Sequence, residues 1–145
     1  MKKAFVSDGY CGLYCGACPV FLATKSGEAE KTGTDKCMGC KSETVSAGWC
    51  RECSLKKCAR KKGFDFCYEC ADYPCQDLEG FKNAPEWPYH TEVYDYMGII
   101  KKEGKEGWLK KMSVRWSCPS CGKEASWWDL ECLYCGTKLN GYKKP

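Results

Sequence analysis

Apolar residues recur at helical spacing along several stretches of this chain. Val93, Met97 and Ile100 line one side of the segment Thr91 to Ile100, and Gly104 follows as a stop signal. Lys105 to Met112 reads as a second short helix, with Trp108, Leu109 and Met112 on one side. Upstream, Pro19 suits the first position of a helix that carries Val20, Phe21 and Ala23. Another helix runs from a cap at Ser54 through Leu55, Cys58 and Arg60 to Lys62, with Gly63 as its terminator. The C-terminal segment has a different pattern. There Trp116, Trp127, Trp128 and Tyr134 are interspersed with polar residues as in short strands. Ala84-Pro85-Glu86-Trp87-Pro88-Tyr89 carries two prolines and marks a linker.

Cysteine content changes this picture. Fifteen cysteines in 145 residues leave a choice between a disulfide scaffold and a metal scaffold. The start, Met1-Lys2-Lys3-Ala4-Phe5-Val6-Ser7, has only three apolar residues between the lysines and Ser7, too few for a signal-peptide core, and no long apolar run follows. The expected compartment is the reducing cytoplasm, where clustered thiols are metal ligands and disulfides are rare. With 29% charged residues and 15 glycines, little aliphatic material is left for a core. A structural zinc in a short peptide contributes on the order of 10 kcal/mol and can replace what is missing. The expected fold class is therefore a small metal-stabilised α+β protein. Residues 1–83 form a Cys-rich knuckle domain with short helices, 84–112 a linker and helical connector, and 113–145 a β zinc ribbon. The formal net charge of +4 does not argue for nucleic acid, because each zinc held by four thiolates carries about −2 and three such sites would reverse the sign.

The sharpest motif is Cys118-Pro119-Ser120-Cys121-Gly122 followed by Cys132-Leu133-Tyr134-Cys135-Gly136. Two cysteines separated by two residues chelate one ion from a tight turn, and the glycine after each pair lets the backbone turn its amides toward the sulfurs. Four thiolates close a tetrahedron with no open position. Zinc held by Cys118, Cys121, Cys132 and Cys135 is expected, with the nearby aromatics as the ribbon's miniature core rather than a base-stacking platform.

The other candidate ligands are Cys11, Cys15, Cys18, Cys37, Cys40, Cys50, Cys53, Cys58, Cys67, Cys70 and Cys75. Cys50-x2-Cys53-x4-Cys58 recurs seventeen residues later as Cys67-x2-Cys70-x4-Cys75, which suggests duplicated metal-binding turns that share ligands. Eleven thiols fill two closed tetrahedral sites with three over, or three sites if a twelfth ligand joins. His90, the only histidine, is a candidate twelfth ligand, with an exposed linker residue as the favoured alternative. The trio Cys11, Cys15 and Cys18 can hold an ion or cluster with one position open, or be closed by a distant cysteine such as Cys75. Its spacing matches the cradle of radical S-adenosylmethionine enzymes, but their barrels take about 200 residues or more, and the residues that follow here are spent on knuckles. Lys56, Lys57, Arg60, Lys61 and Lys62 crowd Cys58. Such cations lower thiol pKa values and neutralise a metal centre, with a phosphate-binding face as the alternative.

Cys11-Gly12-Leu13-Tyr14-Cys15-Gly16-Ala17-Cys18-Pro19, Cys37-Met38-Gly39-Cys40, Cys50-Arg51-Glu52-Cys53 with Cys58, and Cys67-Tyr68-Glu69-Cys70-Ala71-Asp72-Tyr73-Pro74-Cys75 together resemble the cysteine-rich family called domain of unknown function 3795. The likeness is expected to run on through Gly107-Trp108-Leu109 and Arg115-Trp116-Ser117-Cys118-Pro119 into the ribbon, over nearly the whole chain. The resemblance implies a small metal-binding cytoplasmic protein and supplies no reaction. No acid-base motif accompanies the cysteines, so no catalytic residue is expected. The leading expectation is a multi-zinc interaction or adaptor module for a protein partner. The alternatives are an iron-sulfur protein, with a 4Fe-4S cluster in the N-terminal group and a redox or accessory-enzyme role, and, behind both, a nucleic-acid-binding zinc-ribbon protein. No membrane role is expected.

Overall fold

The computed structural model describes residues 5–42 and 51–145. Among these the chain forms α1 (Pro19–Ser26), α2 (Glu28–Thr32), α3 (Ser54–Lys62), α4 (Gln76–Lys82) and α5 (Val93–Arg115). Short 3-10 turns lie at Cys15–Ala17, Cys67–Glu69 and Pro88–Glu92. Helix α1 starts as its sequence suggests, with Cys18 as N-cap and Pro19 in the first turn. Helix α3 begins one residue earlier than expected: Cys53 is the N-cap and Ser54 the first helical residue, with no side-chain cap bond.

Helix α5 carries the core. A straight helix of 23 residues would be about 35 Å long. Yet Glu92, just before its start, forms a bidentate pair with Arg115 at its end. The element therefore folds back on itself, and the bend is at Gly104, whose φ of 82° and ψ of 165° lie outside the helical region. The stop expected at Gly104 and the second helix after it are both present. Folding back places Trp108 against Tyr96, with ring centroids 5.9 Å apart, and edge-on to Tyr14 and Phe66. The cluster around Trp108 also takes in Ala17, Tyr89, Met97, Trp116 and Trp127. Residues from all three sequence-predicted segments thus share one apolar centre, with the expected connector in its middle.

The expected α+β class with a C-terminal β zinc ribbon is corrected by the structure. Among the described residues there is no strand, only the isolated bridges Asp8–Tyr14, Ser117–Glu124 and Glu131–Lys138. In the C-terminal segment the reason lies just after the Ser117–Glu124 bridge. Ser126 N–H donates to the Asp129 carboxylate at 2.8 Å, Trp128 N–H to the Ser126 hydroxyl at 3.1 Å, and Asp129 N–H to the Ser126 carbonyl at 3.0 Å. These local bonds use the donors that a ladder needs. The aromatics are divided as well. Trp116 and Trp127 are buried in the shared core, where Trp127 stacks on Tyr89 at 3.9 Å, while Tyr134 is exposed. They are not a separate core for the C-terminal segment.

The proline-bearing linker also packs inward. Tyr89 and His90 are buried, and the imidazole stacks on Phe81 at 3.7 Å while its Nδ1–H donates to the Phe81 carbonyl at 2.9 Å. His90 is thus neither exposed nor placed among the thiols. Burial lowers its pKa to about 4, outweighing that hydrogen bond, which acts in the opposite direction. The unfolded chain takes up this proton near pH 6.5 and the folded chain near 4, so stability falls on acidification across that window, by about 3 kcal/mol at most. Because the chain has a single histidine, its imidazole resonance is unambiguous. We expect that resonance to stay in the neutral position down to about pH 5. A midpoint near 6.5 would contradict the buried placement.

An ion-pair cluster around a half-buried lysine was not anticipated. Lys41 Nζ donates to Asp8 at 2.6 Å and Asp65 at 2.7 Å and sits 3.9 Å from the Phe66 ring centroid. It ties the N-terminal strand-like segment and the Cys37–Cys40 loop to the turn before Cys67.

Candidate metal centre

The four C-terminal cysteines sit on two copies of one backbone turn. Cys118 N–H donates to the Lys123 carbonyl at 2.8 Å, and Gly122 N–H to the Cys118 carbonyl at 2.9 Å. Fourteen residues later Cys132 N–H donates to the Thr137 carbonyl at 2.8 Å, and Gly136 N–H to the Cys132 carbonyl at 2.9 Å. Gly122 and Gly136 have φ of 75° and 77°, a conformation that other residues adopt only with strain. Each knuckle therefore needs its glycine, as the sequence indicated.

These turns bring the sulfurs together. Cys118 Sγ lies 3.5 Å from Cys135 Sγ, Cys121 Sγ lies 3.5 Å from Cys132 Sγ, and all four are within 4.8 Å of one another. A tetrahedral zinc with Zn–S near 2.3 Å requires sulfur separations of roughly 3.8 Å, so the arrangement fits one ion. Backbone and hydroxyl donors surround the sulfurs. Ser120 N–H points at Cys118 Sγ from 3.4 Å, and the Thr137 hydroxyl lies 3.2 Å from Cys135 Sγ. The Cys118 thiol is drawn down to about 6, chiefly by the backbone N–H of Cys121, and that of Cys135 is lowered chiefly by the Thr137 hydroxyl. Cys118 and Cys132 are buried, whereas Cys121 and Cys135 are exposed. The quartet can hold a metal ion, with every tetrahedral position filled by protein.

Of the N-terminal thiols, Cys50 lies outside the described residues. Cys15 Sγ is 3.9 Å from Cys40 Sγ. Cys18 caps α1, and Thr24 of the same helix accepts the Cys37 N–H at 2.9 Å, so Cys15, Cys18, Cys37 and Cys40 share one corner of the fold. Cys11 packs with Leu55, Leu78 and Val93, against which Cys53, Cys67 and Cys75 also lie, while its sulfur and that of Cys15 lie 3.8 Å and 3.6 Å from where a Gly9 Cβ would stand. Cys58, Cys67, Cys70 and Cys75 line a surface cleft of about 300 Å³. Burial pushes the thiols of Cys18 up to about 11 and of Cys67 up to about 12, and Cys15 is raised chiefly by its Cys40 neighbour. Among the described residues, the C-terminal quartet is the group whose ligand atoms all converge within 4.8 Å.

The basic segment is partly engaged. Lys57 pairs with Glu52 at 2.7 Å, Lys56 is buried, and Lys62 Nζ donates to Cys70 Sγ at 3.2 Å. Sequence reading missed the 14-residue duplication around the quartet, although the parallel Cys-x2-Cys-Gly units signalled it.

No helix among the described residues is long and apolar enough to cross a membrane. No curated protein and no solved structure matches this chain. Its N-terminal knuckles fall within a match over residues 7–80 to the family described as Protein of unknown function (DUF3795). That match stops short of α5, so the likeness expected to continue to Cys118 and beyond is not part of it. On the strength of the match across the N-terminal half, the chain belongs to the DUF3795 family.

Proposed function

We propose that this chain is a cytoplasmic multi-metal thiolate protein that works as an interaction module, with zinc in the C-terminal quartet. The convergence of four sulfurs within 4.8 Å is the observation that carries the metal reading. Zinc is the ion that a closed four-thiolate tetrahedron suits best when the site offers no open position for chemistry. Cys15, Cys18, Cys37 and Cys40 form a second centre, and the thiols around the cleft a third.

The interaction role rests on the surface of the second knuckle. Leu133 and Tyr134, the two residues between Cys132 and Cys135, are 82% and 69% exposed, and Leu130 beside them is 46% exposed. A metal-clamped turn holds these apolar side chains in water at little flexibility, which suits capture by an apolar pocket of a partner protein. The test is elemental analysis of the full chain purified without oxygen, combined with crosslinking in its source cells. Cys118→Ser should lose one zinc per chain. Leu133→Asp with Tyr134→Asp should keep all its metal and lose its crosslinked partner. Full zinc retention in the first variant, or unchanged crosslinking in the second, would overturn the corresponding half of the proposal.

A further inference from the structure

Two thiol groups of the N-terminal region differ in how their sulfurs are arranged. In the α1 corner, Cys15 and Cys40 are already 3.9 Å apart, a single-ion separation. Around the cleft the arrangement is open. Among the described residues Cys58, Cys67, Cys70 and Cys75 do not form a converged single-ion group like the C-terminal quartet, and the cleft they line with eight other residues is about 300 Å³. A lone ion displaces less than the roughly 30 Å³ of one water molecule and would have to draw all four thiols inward. A polynuclear centre needs its ligands held apart.

From this geometry we infer that Cys58, Cys67, Cys70 and Cys75 hold a 4Fe-4S cluster in the cleft. The ligand set takes one cysteine from the first copy of the Cys-x2-Cys-x4-Cys unit and all three from the second, so the duplication builds one centre. Cys58 sits on α3, Cys67 on its 3-10 turn, and Cys75 just before α4, so three separate elements fix the spacing. Leu55 and Ala59, both buried, give the cleft an apolar floor beside the thiols. Two donors already address one ligand sulfur. Lys62 Nζ is 3.2 Å and Asp72 N–H 3.4 Å from Cys70 Sγ. Hydrogen bonds and positive charge at a ligand sulfur stabilise the reduced, more negative cluster and raise its potential. Lys62 is thus a tuning residue, and Cys58, which is exposed, leaves one edge of the cluster close to solvent.

This inference rests on the reading that the N-terminal thiols bind metal, and the experiment separates the two. The full chain is purified without oxygen and reconstituted with iron and sulfide, then assayed for iron, zinc, acid-labile sulfide and visible absorption. About four iron and four sulfide per chain are expected, with a broad visible band bleached by dithionite. Cys67→Ser should lose the band and the sulfide while the zinc of the quartet stays. Lys62→Gln changes no ligand and should keep the band but shift the reduction potential downward. A colourless protein with N-terminal zinc and no sulfide would overturn the cluster and leave the metal reading intact. Metal in the C-terminal quartet alone would overturn both. A coloured Lys62→Gln variant with unchanged potential would overturn the placement beside Cys70.

Discussion

Stripping the metal from Cys118, Cys121, Cys132 and Cys135 is expected to unfold the C-terminal segment and to lower the stability of the whole protein. Locally, the backbone of this segment is held by two isolated bridges, the knuckle bonds, the Ser126–Asp129 turn and a bond from Tyr142 N–H to the Trp127 carbonyl, with no continuous ladder. The apparent free energy lost with one structural zinc is on the order of 10 kcal/mol near neutral pH, as large as the net stability of many domains. The effect spreads because Trp116 and Trp127 leave the segment for the shared core, where Trp127 N–H also donates to the Ala17 carbonyl at 3.2 Å. Hydrogen exchange on Cys118→Ser should show loss of protection from Trp116 to Tyr142 and weaker protection around Ala17 and Tyr89. Unchanged protection of the Cys118, Gly122, Cys132 and Gly136 amides would show that the thiols are not the clamp.

Helices α1 and α3, the two halves of α5 and the quartet were legible in the sequence because each depends on neighbours within a few residues, whereas α2 and α4 were not foreseen. Pro19, Gly63 and Gly104 act through their own backbone geometry, and a Cys-x2-Cys-Gly turn closes locally. What failed was whatever depends on distant packing. Alternating Trp and polar residues read as strands, but Ser126 and Asp129 satisfy the backbone locally, and the indoles are drawn to Tyr89 and Ala17 instead. A histidine close to two prolines read as linker, yet Phe81 offers it both a ring face and a carbonyl. Gly12, at φ 90° and with Met97 Cε 3.1 Å from where a Cβ would stand, makes the tight turn between Cys11 and Cys15. Spacing reports that a thiol can ligate, and only the fold reports with which others.

Trp108→Ala should be the most damaging substitution away from the thiols. The side chain is fully buried, and it touches the two halves of α5 and the N-terminal knuckle region at once through Tyr96, Tyr14 and Phe66. Truncating a buried tryptophan removes its transfer free energy and leaves a cavity that two helix halves pinned by Glu92 and Arg115 cannot close, a loss of about 3–5 kcal/mol. For a chain of 145 residues this lowers Tm by about 10 °C or more. Trp108→Phe separates packing from polarity. Among the described residues the buried indole N–H has no hydrogen-bond partner, and phenylalanine removes that unsatisfied donor while keeping most of the apolar volume. The Phe variant should therefore lose well under half of what the Ala variant loses. Thermal unfolding of both metal-loaded variants, followed by tryptophan emission, checks this. Equal losses in the two would mean that the indole N–H is satisfied after all. An Ala variant within 1 °C of the parent would mean that Trp108 does not sit at the centre of the core.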